Sequence, residues 1–592
     1  MQIRRAVPYV ILLLWPAILY FPALSNPFVY DDQSQIVKNP NINSFQAAAV
    51  YFRQPTAFDQ AFAPQPGSFY RPLFWLSLTL DNKISARSPE FFHATNLLIH
   101  AVNGILIFLI FRRWLNGLWP LTAALVWISL PIHTEAVAWI SGRAISLATL
   151  FVLLAVLCAL RYAERRSGTW LLLMALANCA ALLSHEAGIV GPLLAALTIV
   201  STSPPDLRRR STINVIVAIA IPVLFYAVVR LVVFNQPQAS VQSFTEILLR
   251  GPVTVAKYVW WIIYAPAMSM ERSTELMDLQ FRSWTYLAAW LTIAGLTAAG
   301  VWLRRYVPLF GLGLLAAAIA LVPFAQVLRL YQSVAERYTY TASIGIVLAI
   351  VALAAAAISR FRWPSWSAIV VLAVWIGLSV VPLLERVGAW SSESDLYSTS
   401  LAASPKSAVL NLNLGVLNDE AGLLAPAADY YQRAIALRPS YLQAHINLAN
   451  LYMKSGMLED AATEYRQVLF YEPGNLGAKL KLGQLHAMKG DYDSAVSLLR
   501  RVVRDHPDSH EAETSLANVL YLKKDPAARD HFQRALQLKP DSANAAFNLA
   551  MLEEDAGNID AARKLYEQVL RHRPNDVEAT QALRRLAVRQ VR

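Results

Sequence analysis

The stretch NLANLYMKSGMLEDAATEYRQVLFYEP, residues 447–473, holds the spacing on which the fold of this chain turns. Ala449, Ala461, Tyr465 and Val468 fall on two amphipathic helices, and Pro473 closes the second. The same positions recur one unit earlier as Gly415, Ala427, Tyr431, Ala434 and Pro439, and near the C-terminus as Ala550, Ala562, Tyr566, Val569 and Pro574. Prolines at 405, 439, 473, 507, 540 and 574 lie 34, 34, 34, 33 and 34 residues apart. Small side chains let paired helices approach, and the tyrosine plugs the gap between neighbours. Proline ends each second helix because it has no interior N–H to supply.

A 34-residue period with two amphipathic helices per unit is the tetratricopeptide (TPR) signature. Residues 405–592 therefore read as an α-solenoid of five repeats plus a capping helix near 577–590. The fourth repeat is one residue short around Lys524-Asp525-Pro526, which predicts a shorter turn between its helices. A solenoid offers a concave surface for extended peptides or partner proteins. Recruitment is one use of it; a rigid spacer or dimerisation arm is the other.

Upstream the composition changes. Of 592 residues 56% are hydrophobic and only 16% charged, against about 25% charged in soluble proteins. That excludes both an ordinary globular domain and a disordered chain. Residues 1–384 hold 27 Lys+Arg and 14 Asp+Glu, whereas 385–592 hold 25 and 26. The whole excess of positive charge lies in the apolar half, as short basic clusters between apolar runs. That is the positive-inside pattern of a membrane protein, and it removes nucleic acid as a partner. Cys158 and Cys179 sit inside apolar runs and offer no disulfide framework or metal site.

The first apolar run, 6–24, reads as an uncleaved transmembrane helix behind Arg4-Arg5, followed by a long outer loop over 25–92. Ten more candidate spans fall near 93–111, 118–133, 144–163, 169–184, 186–201, 212–234, 284–303, 307–324, 341–358 and 366–384. The run Val253–Met270, with Lys257, Tyr258, Trp260, Trp261 and Pro266, suits an interfacial or re-entrant segment. With it outside the count, Arg112-Arg113, Arg161 with Arg165-Arg166, Arg208-Arg209-Arg210, Arg304-Arg305 and Arg360 with Arg362 all fall on the cytoplasmic side. The expected fold is all-α: about 11 spans over 1–384, a linker over 385–404, and the solenoid. The N-terminus is then cytoplasmic and the repeats lie outside the cytosol. The expected placement is a bacterial inner membrane with periplasmic repeats, an endoplasmic reticulum lumen satisfying the same physics.

Twelve of the 14 acidic residues in the first 384 fall in outer loops or at outer helix ends, so chemistry is to be sought there. Asp31 and Asp32, just after the first helix, suit a general base acting on a hydroxyl, because adjacent carboxylates repel and raise a pKa. The same pair can instead cap a short helix over Gln33–Lys38. Arg71, in Tyr70-Arg71-Pro72-Leu73, can clamp a phosphate or carboxylate, or snorkel to lipid headgroups. His93, Asn96, His100 and Asn103 share one helix face, as a hydrogen-bonded packing stripe rather than a zinc site. His133, Glu135 and Arg143 crowd the outer end of the third helix as a candidate site. Glu186, in the turn Ser184-His185-Glu186, can pair with an Arg or His across it. Arg337 is placed to bind a lipid phosphate, with Glu336 either orienting it or forming a structural ion pair.

In five places, in order and with the repeats attached, the chain resembles the transmembrane and tetratricopeptide-repeat O-mannosyltransferases. These belong to the multi-spanning GT-C glycosyltransferases that use polyprenyl-phosphate sugars. The matching residues are Tyr30-Asp31-Asp32; Tyr70-Arg71-Pro72-Leu73; His133-Thr134-Glu135-Ala136-Val137-Ala138 with Gly142-Arg143-Ala144; Glu186-Ala187-Gly188-Ile189; and Ala335-Glu336-Arg337 with Ser343-Ile344-Gly345. Ile145 and His185 depart from the acidic residue and the lysine the family often carries there. The resemblance implies inverting transfer of a sugar, mannose first, from a polyprenyl monophosphate to Ser/Thr hydroxyls of a protein acceptor. Asp31 or Asp32 takes the acceptor proton, and Arg337, with Arg71 or Arg143, holds the departing phosphate. No metal ligands are named, and a divalent cation is left open. The same bundle could instead serve a lipid or glycan acceptor, or be a non-catalytic membrane-anchored scaffold.

Overall fold

The structure, a computed structural model, describes residues 2–53, 70–202, 205–233, 243–265, 267–272, 283–326, 334–364 and 366–590. Every regular element among them is helical. The chain divides into two compact units, Met1–Ser407 and Ala408–Arg592.

Among the described residues, five helices of the first unit are long and apolar enough to cross a membrane: Pro89–Phe111, Ile140–Arg165, Trp284–Leu303, Ala342–Arg360 and Ser367–Gly388. Six shorter apolar helices, Ala6–Leu19, Trp119–Ile128, Gly168–Ser184, Glu186–Thr202, Ile213–Val229 and Pro308–Phe324, coincide with the remaining expected spans. The first part of the segment set aside as interfacial, residues 253–263, is the C-terminal half of the helix Phe244–Ile263. That helix carries Glu246, Arg250 and Lys257 and is not among those eleven. Helices Pro89–Phe111 and Ile140–Arg165 are mostly buried, whereas Trp284–Leu303 and Ser367–Gly388 bury few of their apolar side chains. In water that pattern is untenable; against lipid tails it costs nothing. Of the expected features, loop residues 54–69 and Pro266 lie outside the described residues, as do the side chains of Arg4, Arg5, Arg208, Arg209 and Arg210.

Residues 385–404 are not a linker. The helix Ser367–Gly388 runs past 384, and the helix Glu393–Ala403, capped by Ser392, belongs to the first unit. Its Leu396 and Ser400, with Arg386 and Trp390 before it, are buried. The segment reads as polar in sequence because its exposed serines and acids alternate with the buried Leu396, Tyr397 and Ser400.

The second unit stacks five helix pairs, from Ala408–Glu420 with Leu424–Leu437 to Ala543–Asp555 with Ile559–His572, closed by Val577–Gln590. Tyr431, Tyr465 and Tyr566 are buried as the spacing requires. A Cβ on Gly415 would come 2.5 Å from the Tyr431 ring, which is why that position is small. The fourth repeat differs from expectation. Its turn is not shorter; its second helix, Ala528–Leu538, has 11 residues against 14 in Tyr492–Asp505. Pro526 cannot enter the helix interior, so residues 523–527 form the connection, with Lys524 in the left-handed region at φ 60°.

Candidate active site

The first helix of the chain ends at Leu19, and a short turn, Phe21–Ser25, leads to the carboxylate pair. Tyr30 has φ 55°, a strained conformation for a bulky residue. It is held from three sides. Its amide donates to Glu393 Oε1 at 3.0 Å, and its ring packs against Trp139 and Tyr397. The turn sends Asp32 inward, where it is fully buried, and leaves Asp31 half-buried.

Asp32 does not cap the helical turn Gln33–Val37. Its Oδ1 instead accepts the Ser141 amide at 3.0 Å and the Ser141 hydroxyl at 2.5 Å, and its Oδ2 is buried without a partner among the described residues. Asp31 receives no hydrogen bond to its carboxylate from any described residue. Burial pushes Asp31 up to about 6, opposed by the nearby Arg337 guanidinium. Burial pushes Asp32 up to about 7, opposed by the Ser141 hydrogen bonds and reinforced by the charge of Asp31.

Facing the pair, the helical turn Glu336–Thr339 presents Arg337. Its backbone amide donates to Glu135 Oε2 at 2.8 Å, and its guanidinium pairs with Glu135 Oε1. The guanidinium lies over the rings of Trp139 and Tyr338, 5.5 and 5.0 Å from their centroids. A second pair joins Arg71 to Glu186, with Nε and Nη2 at 3.0 and 2.8 Å from Oε2; Glu186 Oε1 is buried without a partner among the described residues. The Tyr338 hydroxyl is raised by burial and feels Arg337, Arg71, Glu135 and Glu186 together. Two arginine–glutamate pairs thus flank the Tyr338 hydroxyl, and one of them, through Arg337, acts on Asp31.

Three expected site residues lie elsewhere. Glu336 does not orient Arg337; it is buried between Arg272, at 2.7 Å, and Arg386. Arg143 does not join His133 and Glu135. It is enclosed by Asp81 at 2.6 Å, Asn96 at 2.6 Å and the Phe92 carbonyl at 2.8 Å, a cluster that satisfies its charge apart from His133 and Glu135. His133 contacts Ser343 at 2.9 Å within a cage of Trp127, His100 and Tyr340 rings, as a core residue. The polar stripe behaves as packing: Asn96 donates to the Val137 and Trp139 carbonyls, Asn103 to the Ser146 carbonyl, and His100 hydrogen-bonds with Tyr340.

Gly142 in the Gly-Arg-Ala segment has a steric cause. A Cβ there would stand 2.2 Å from the Glu135 carbonyl oxygen. The chain folds back on itself at that point and so sets Ser141 beneath Asp32 on one side and Glu135 beneath Arg337 on the other. Sequence reasoning missed Ser141, Asp81, Arg272, Arg386 and Glu393. Arg386, a charge at the end of an apolar helix, carried a usable signal.

The tetratricopeptide repeat family models match residues 446–510, 489–543 and 526–586. The chain is similar to the human protein O-mannosyl-transferase TMTC2, 38% identical over 160 residues, covering 26% of this chain and 19% of that protein. It is 25% identical over 425 residues to the Caenorhabditis elegans protein O-mannosyl-transferase F38B6.6, covering 70% of this chain and 60% of the relative. The Drosophila melanogaster protein O-mannosyl-transferase Tmtc2 is 32% identical over 283 residues, covering 45% and 29%. The chain thus spans less than two thirds of the length of each of these relatives. Among solved structures, the Thermus thermophilus TPR protein TTC0263 is 23% identical with TM-score 0.28, covering 31% of this chain and all of that one.

Proposed function

We propose that this chain is an integral membrane glycosyltransferase of the GT-C type. In this reading it moves a sugar, mannose first, from a polyprenyl-phosphate donor to Ser/Thr hydroxyls of protein acceptors on the non-cytoplasmic side. The solenoid recruits the acceptor or a partner protein. The observation that carries this reading is the carboxylate pair Asp31-Asp32, fixed by the left-handed turn at Tyr30, with the Arg337 guanidinium close enough to lower Asp31. The similarity over 425 residues to a relative named as a protein O-mannosyl-transferase supports it.

Of the two carboxylates, Asp31 is the half-buried one with no bound donor among the described residues, so it is the base that reaches an acceptor hydroxyl. As the acceptor oxygen bonds to the anomeric carbon, its proton passes to Asp31. The bond from that carbon to the phosphate oxygen breaks, and the electron pair leaves with the phosphate. Arg337, held by Glu135 and two aromatic faces, and Arg71, held by Glu186, are oriented cations where that charge develops. With eleven crossings and the basic clusters inside, this site and the repeats face the periplasm of a bacterial inner membrane, or a lumen.

Transfer of labelled mannose from polyprenyl-phosphate-mannose, in membranes holding the wild type or the Asp31→Asn/Asp32→Asn variant, tests the reading. Label on protein with the wild type, lost in the variant, is the expected result. Label unaffected by the double change overturns the mechanism.

A further inference from the structure

Beside the two arginine–glutamate pairs, two polar atoms are buried without a partner among the described residues: Trp139 Nε1 and Glu186 Oε1. A buried indole N–H or carboxylate oxygen is normally hydrogen-bonded, so each marks a place for a group that the protein does not supply. Trp139 is otherwise well fixed. Its carbonyl accepts from Asn96 Nδ2 at 3.1 Å, and its ring stacks on that of Trp390 with centroids 5.9 Å apart. The Arg337 guanidinium and the Tyr30 ring lie 5.5 and 5.8 Å from its ring centroid. Glu186 commits Oε2 to Arg71 and keeps Oε1. The Tyr338 hydroxyl feels Arg337 and Glu186 together, so the two atoms belong to one neighbourhood. Arg71, Glu186 and Arg337 keep 20%, 19% and 16% of their side chains exposed, so that neighbourhood opens to the surface.

The two atoms have opposite needs: the indole N–H only donates, and the carboxylate oxygen only accepts. The donor's phosphate offers acceptors alone and is repelled by Glu186; its place is with Arg337 and Arg71. A Ser or Thr acceptor brings one hydroxyl, whose proton goes to Asp31. A sugar carries several hydroxyls, each both donor and acceptor. We propose that Trp139 and Glu186 hold the transferred sugar: the indole N–H donates to one of its hydroxyl oxygens, and Glu186 Oε1 accepts from another hydroxyl. This rests on the transfer reading above and adds to it the residues that recognise the sugar. Glu186 then divides its oxygens, aiming Arg71 with one and the sugar with the other.

The test pairs deoxy sugars with side-chain changes in the full, detergent-solubilised chain. Binding of labelled polyprenyl-phosphate-mannose and of its monodeoxy forms is measured beside transfer to protein. Trp139→Phe keeps the ring and removes the N–H, and is expected to weaken binding of the parent donor about 3- to 10-fold, the worth of one neutral hydrogen bond. One monodeoxy donor is expected to lose the same factor in the wild type and nothing further in Trp139→Phe. A different monodeoxy donor should behave so with Glu186→Leu, which removes the acceptor. Each comparison is between donors on one variant, so a general loss of folded protein does not imitate it. Parent binding unchanged in Trp139→Phe, or monodeoxy losses equal in the wild type and both variants, overturns the proposal and leaves the transfer reading standing. The expected donor-specific effects in a chain that puts no label on protein would instead end the transfer reading and keep the sugar site. A wild type that binds no donor overturns both.

Discussion

The solenoid and the membrane unit build their ion pairs on opposite plans. Arg433–Asp429, Lys454–Asp419 and Arg563–Asp560 in the solenoid have cation side chains 59%, 59% and 42% exposed. In the membrane unit Arg143–Asp81 and Arg272–Glu336 are nearly closed to solvent, at 0% and 3%, and 4% and 1%. Exposed partners are hydrated whether or not they meet, so each such pair contributes about 0–1 kcal/mol. Buried partners have no water to fall back on, so removing one strands the other at a cost of about 3–5 kcal/mol. These solenoid charges thus keep a surface soluble, and the buried pairs of the membrane unit hold its core around the candidate site, although Arg161–Glu164 in the same unit is exposed.

Glu336→Gln tests the contrast hardest. It leaves Arg272 and Arg386 buried around a neutral amide, and thermal unfolding of the detergent-solubilised chain should show a loss of about 3 kcal/mol or more. A loss below about 1 kcal/mol would place that cluster with the surface pairs. Gly142→Ala comes next, at about 2 kcal/mol, because backbone rather than a flexible side chain blocks the new Cβ. It should also depress mannose transfer, since Ser141 and Glu135 both move.

The acid response ranks third. Asp31 and Asp32 sit at about 6 and about 7 against an ordinary 3.8, so the native chain binds their protons more tightly than the unfolded one. Their contribution to stability therefore falls as pH rises from about 4 to about 7. Transfer, which needs a free carboxylate, rises through the same upper range, and a flat profile from pH 5 to 8 would deny the pair its role as base. Smallest is Lys454→Ala, which should change solenoid unfolding by no more than about 1 kcal/mol. A larger change would break the contrast from its other side.

How far the sequence could be read follows the same division. In the solenoid, contacts join residues less than a repeat or so apart, so the proline period and the tyrosine positions carry the fold with them. The apolar runs of the first unit are equally local, and eleven helices lie where eleven runs stand. The site is not local. Arg337 meets Glu135 across 202 residues, Arg71 meets Glu186 across 115, and Asp32 meets Ser141 across 109. Composition names such residues as candidates without saying which partner each takes. Hence Arg143 and Glu336 were grouped with sequence neighbours when their partners were Asp81, Arg272 and Arg386. Residues 385–404 misled for a related reason: serines and acids looked solvated, while Trp390, Leu396 and Tyr397 marked a buried face.

The bond from Tyr30 to Glu393 spans 363 residues, so it also sets a schedule. Synthesis delivers the carboxylate pair among the first residues and Ser141 much later, but the acceptor for the Tyr30 amide only after all eleven apolar helices have been made. Until then that hydrogen bond cannot form, so the turn that carries the carboxylate pair gains this contact only at the step just before the repeats begin to emerge.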